Sequence, residues 1–148
     1  MKNIKWLLPF IILLSSCSEK QTNNIEIEFN FNHTLTWDSS SNRFVENKNF
    51  NDLKVNYIKN RDAIIESILD TTSLNVKSCI KQNSCLRKGD LSIIFMKSIE
   101  YVNFSKIFSG NRFDHFYNCN YPIGLFDHIE RNRITFVEKL KKEKIDFK

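Results

Sequence analysis

Asp114-His115, Cys119 and Asp127-His128 are the residues of this chain whose types and spacing suit chemistry. Residues four apart share a helix face, so on a helix His115 and Cys119 would present an imidazole and a thiolate together. That is a pair of metal ligands, with His128 as a third. The same side chains can be written as a thiol nucleophile, a histidine base and an aspartate orienter. Asn118, Asn120 and Pro122 surround Cys119 and predict a loop there, which removes the shared helical face. Neither a C-x-x-C spacing nor a second ligand pair accompanies the set, so a zinc ribbon or finger is not supported. A metal site or an enzyme using His115, Cys119 and His128 is therefore the weaker alternative, and no cofactor is expected.

Cysteine also bears on covalent structure. Cys79, Cys85 and Cys119 follow Cys17 in the chain. Outside the cytoplasm thiols tend to be oxidised, and three of them predict one disulfide with one leftover thiol. Cys79 with Cys85 closes a short loop and is slightly favoured. Cys85 with Cys119 would tie distant segments and constrain the unfolded chain more.

The compartment is argued from the first residues. Lys2 and Lys5 make a basic start, Trp6 to Leu14 is an apolar run interrupted by Pro9, and Ser15 and Ser16 are small. This is the order of an export signal, and the run falls far short of the ~20 residues of a spanning helix. Leu14-Ser15-Ser16-Cys17 resembles a lipobox, the processing site of bacterial lipoproteins. The resemblance implies cleavage between Ser16 and Cys17 and a diacylglycerol thioether on Cys17. Two or more acyl chains make a stable anchor where one binds only marginally. Ser18 stands where enteric inner-membrane lipoproteins have aspartate, which favours the outer membrane, and Glu19 faintly resembles a surface-export signal. Residues 1–16 are read as signal peptide and 17–24 as lipidated cysteine and tether. Residues 25–148 are read as a single domain.

Composition narrows the function classes. Loss of Lys2 and Lys5 with the signal lowers the formal charge from +5 to +3, too little to argue for nucleic acid. Gly89, Gly110 and Gly124 lie far apart, so no GxGxxG, P-loop or G-x-S-x-G elbow can be written.

These residues must be positioned by strands and helices that the periodicity outlines. Ile25, Ile27, Phe29, Phe31, Leu35 and Trp37 share one parity, with Glu26, Glu28, Asn30, Asn32 and Thr34 on the other. That predicts a strand with one buried face, and puts His33 on the core parity as a partly buried histidine. Asp38 to Asn42 is turn chemistry, Arg43 to Glu46 a returning strand, and Leu53, Val55 and Tyr57 a third strand. Asn60 is expected to cap a helix bearing Ile64, Ile65, Ile68 and Leu69. Asp90 is expected to cap a central core helix bearing Leu91, Ile94, Phe95, Ile99 and Val102. A last helix, with Pro122 in its first turn and a break near Asn132, ends in Lys139, Lys141, Lys142 and Lys144. Those lysines suit the negative end of a helix dipole, with anionic headgroups as the sharper alternative.

The fold class expected is α+β: N-terminal antiparallel strands packed against two to three C-terminal helices. The function expected is a non-enzymatic envelope lipoprotein that binds another protein, anchored to the membrane through Cys17. One version is an immunity-type lipoprotein that neutralises a toxin. Phe104, Phe108, Phe113, Phe116, Tyr117, Tyr121 and Phe126 exceed what a small core obviously needs. Filling the core is the first explanation for them. An exposed patch with Arg112, Arg131 and Arg133 is the second, since these residue types are enriched at binding hot spots.

Overall fold

Alternation in the first residues of the domain produces a hairpin. In the computed structural model, which describes residues 24–29, 33–81, 84–109 and 117–147, β1 (Asn24–Phe29) and β2 (His33–Asp38) pair antiparallel. The partners are Ile25 with Trp37, Ile27 with Leu35 and Phe29 with His33. Ile27, Phe29, Leu35 and Trp37 face the core, and His33 is half-buried. The stretch expected as one strand is thus two. β3 (Arg43–Phe44) closes the sheet in the order β1-β2-β3.

The turn into β3 is built on Asp38. Its carboxylate accepts from the Ser40 amide at 2.9 Å and from the Ser40 and Ser41 hydroxyls, each at 2.6 Å. These bonds pull its pKa down to about 2.

The third expected strand is helix. Asn47 Oδ1 accepts from Phe50 N at 3.0 Å and caps α1 (Lys48–Val55), which buries Phe50 and Leu53. After Asn56 comes α2 (Tyr57–Ser67), burying Tyr57, Ile64 and Ile65. Asn60 lies inside α2 and donates back to Asn56 O, so it is not the cap.

α3 (Lys88–Ile99) is the central helix and is buried on almost every side. Asp90 is its third residue rather than its cap. Its carboxylate reaches back to Arg87 N at 2.9 Å, one half of a capping box. Phe95 is the hub of the core, with its ring 5.3 Å from Phe50, 6.0 Å from Phe44 and 6.3 Å from Tyr57. Gly89, the second residue of α3, carries no side chain because a Cβ there would overlap the Ile68 carbonyl oxygen and sit 2.8 Å from Arg133 Nη1.

The remaining elements are α4 (Phe104–Ile107), the hairpin β4 (Tyr117–Asn118) and β5 (Tyr121–Pro122), α5 (Leu125–Arg131) and α6 (Arg133–Lys142). The helix break falls at Asn132 as expected, whereas Pro122 is in β5. The α+β class is borne out. The described residues hold six helices instead of two or three, since Asn56 and Asn132 each divide a run and α4 adds a turn. No helix among the described residues is long and apolar enough to cross a membrane.

Four charged side chains lock α3, α5 and α6 together. Asp90 (0 % exposed), Lys81 (2 %) and Arg133 (5 %) are buried. Lys81 Nζ is 3.1 Å from Asp90 Oδ2 and also meets Glu130, while Arg133 pairs with Asp90 and donates to Ile68 O at 2.8 Å. Burial opposes the Glu130 charge, but the Lys81 hydrogen bond, with the charges of Lys81, Arg87 and Arg133, outweighs it and lowers its pKa.

A pH prediction arises from these carboxylates. Asp38 and Glu130 both have folded pKa values below their unfolded ones, so their stabilisation is full above about pH 4.5 and is lost as pH falls through the folded values, about 2 for Asp38. His128 adds to the decline from the other side. Burial, then Arg131, lowers its pKa below 6.5, so the unfolded chain takes up its proton first and stability slips below that pH. Urea midpoints should therefore hold at neutral pH and fall steadily in acid. A midpoint that rose on acidification would contradict this assignment.

Candidate functional site

Cys119 and Asn120 join β4 to β5 with φ of 50° and 66°, the two left-handed residues of a type I′ hairpin turn. Asparagine tolerates that region, whereas for cysteine it costs about 1–2 kcal/mol. A covalent bond holds Cys119 there: its sulfur is joined to Cys79, with the Cα atoms 6.0 Å apart. Spacing slightly favours Cys85 as the partner of Cys79, and the structure joins Cys79 to Cys119 instead. Its turn lies against the segment of Cys79, which is itself tied to the β2–β3 turn through Ser78 and Asn42. The leftover thiol is not found either, since none of the described cysteines is free and Cys85 is buried.

This geometry bears on the expected chemical set. The sulfur of Cys119 is in a disulfide and is therefore neither a thiolate ligand nor a nucleophile. His128, on α5, stacks edge-on against Phe108 with centroids 4.6 Å apart. His115 lies outside the described residues, as do Ser16 and Cys17. No group of three metal-ligating side chains occurs among the described residues.

Core filling, the first explanation for the aromatic run, holds for those of its members whose burial is described. Phe104, Phe108, Tyr121 and Phe126 are buried, and Phe104 and Phe108 stack on Phe136 of α6. Arg133 is buried against Asp90, Arg131 is exposed, and Arg112, Phe113 and Phe116 lie outside the described residues.

What the disulfide hairpin does build is the wall of a groove of about 280 Å³. The opposite wall is β3, with Arg43 and Glu46 at the rim, and the floor is Phe44, Phe50, Ile94 and Tyr121. Lys97 of α3 lies 4.0 Å above the Tyr121 ring and donates to Asn120 O, fixing hairpin to helix. Burial raises the Tyr121 pKa, so the phenol stays neutral.

A second cavity, of about 270 Å³, opens beside the ends of α3 and α6. Arg61 Nε is 3.0 Å from Glu100 Oε2 at its floor, and Lys106 is 2.6 Å from Glu143 at its rim. These two pairs take up four of its charged side chains, and beside them Tyr101 N donates to Asp146 O at 2.6 Å. The groove is the better candidate, because its strand wall carries Arg43, which no ion pair among the described residues engages.

No protein-family model, no curated protein and no solved structure matches this chain. Sequence reasoning missed the groove entirely. The one local signal was the Asn118–Pro122 turn chemistry, which placed a loop at Cys119.

Proposed function

We propose that this chain is a lipid-anchored protein of the bacterial cell envelope that acts by binding another protein through the groove between β3 and the disulfide hairpin. The observation that carries the binding half is the groove itself: an apolar aromatic floor with charged rims, the composition of a binding hot spot. A disulfide stiffens its wall, so little ordering remains to oppose association. The address is supported by Leu14-Ser15-Ser16-Cys17 and by the disulfide, which suits an oxidising compartment. With Asn24 already in β1, residues 18–23 would let the domain stand on the order of 20 Å from the bilayer at ~3.3–3.6 Å per residue. By its Ser18, the outer membrane is the favoured one.

Two readouts test the two halves. Cells supplied with labelled palmitate should label the chain, and Cys17→Ala should abolish both label and membrane retention. A photo-crosslinker at position 120, on the groove rim, should join one defined protein in living cells, whereas a crosslinker at the exposed Lys142 should not. An unlabelled chain would sink the address, and crosslinks independent of position would sink the groove as the binding face.

A further inference from the structure

The strand wall of the groove is an open sheet edge. Val45 N donates to Thr36 O at 2.9 Å, and the next Cα partners along are Phe44 with Trp37. Hydrogen-bonded and non-bonded pairs alternate in an antiparallel ladder, so Phe44 sits at a non-bonded position and its N–H and C=O point away from β2. No hydrogen bond among the described residues takes up either group. They face the groove, which Asn42, Arg43, Phe44 and Glu46 line from this side. An unpaired donor and acceptor on a strand edge are a template for one more strand.

Resting on the reading of the groove as a protein-binding face, we infer that it works by strand addition: it takes an extended segment of the partner as a fourth strand beside β3, with an apolar residue opposite Phe44 and an acidic residue beside it. The side-chain pattern follows from the pleat. Phe44 points to the core face of the sheet, so the residue opposite it points to the same face, onto Phe50, Ile94 and Tyr121. Its neighbours point to the other face, where Arg43 is exposed and no ion pair among the described residues engages it. A carboxylate there meets Arg43 as a cross-strand opposite charge. Main-chain bonds then supply affinity, and the alternating side chains supply selectivity.

The test uses the full oxidised chain in detergent as bait for random linear peptides displayed on phage. Selection should enrich segments that alternate acidic and apolar residues. N-methylation at every second residue of a selected peptide should weaken it about tenfold when those amides face β3, and leave it unchanged when they face outward. Arg43→Glu, at an exposed position, should weaken the acidic peptide about three- to tenfold and bring up binding of its lysine counterpart. Enriched peptides without alternation, indifference to N-methylation on both edges, or no peptide sensitive to Arg43→Glu would overturn strand addition. If the crosslink from position 120 persisted in that case, the groove would bind its partner by side chains alone. If the crosslink failed as well, the protein-binding reading would fall with it.

Discussion

Replacing Asp90 by alanine should cost this fold about 3–5 kcal/mol, because it strips the anion from a buried charge cluster. Asp90 is fully buried, Lys81 shows no exposed side-chain surface, and Arg133 is nearly as enclosed. Without Asp90 only Glu130, which is partly exposed, is left to Lys81, and Arg133 keeps only the Ile68 carbonyl. The α3 capping box is lost in the same step, since Asp90 Oδ2 also accepts from Arg87 N. A domain of this size has about 5–15 kcal/mol in total, so the variant should sit near the edge of folding. In urea the midpoint should drop by on the order of 2 M with the slope m unchanged. The converse replacement separates pairing from burial. Removing the three buried charges together, with Asp90→Leu, Lys81→Met and Arg133→Met, leaves the partly exposed Glu130 its pair with Arg87 and should recover much of the loss, as buried ion pairs replaced by apolar groups often do. A single Asp90→Ala loss below about 1 kcal/mol would mean that water reaches the cluster.

How much of this was legible beforehand is a matter of which forces act locally. The first strand and its hairpin partner share one parity because Ile25 pairs with Trp37 and Ile27 with Leu35, all odd positions. Alternation therefore runs through the reversal unbroken, and period two alone does not reveal the turn. Leu53 and Tyr57 are four residues apart, which is two strand periods or about one helical turn, so both readings fit them. Phe50, one helical turn before Leu53, and the Asn47 cap decide for helix. From sequence Asp90 reads as a cap, because caps and third-residue acids draw on the same free amides of the first turn. Helix α3 and the break at Asn132 were plain because a nearly all-apolar helix and a helix-breaking asparagine are local features. The charge cluster and the groove were not, since Lys81, Asp90, Glu130 and Arg133 meet only after α3, α5 and α6 have packed. Phe44 and Tyr121, likewise remote in sequence, share a groove only through that packing.

Loss of the Cys79–Cys119 disulfide should cost roughly 4 kcal/mol, and the loss should be shared. The bond spans 40 residues, and closing a loop of that length removes about this much entropy from the unfolded chain on the chain-entropy model. It also releases Cys119 from the left-handed region, where serine or alanine would be no more at ease. Cys79→Ser and Cys119→Ser should each lower the urea midpoint by a similar amount. The double variant should be no worse than either single one, since both delete the same bond. Simple addition of the two losses would show that these sulfurs do not pair with each other. The groove gives an independent signature. With the turn untethered, Lys97 and Asn120 lose the fixed wall that the disulfide supplies, and amide exchange at Asn120 and Tyr121 should quicken while Phe95, at the core hub, stays protected. Reduction that left Asn120 and Tyr121 as protected as before would show that Lys97 alone holds the hairpin, and the disulfide would then matter for stability but not for the shape of the binding face.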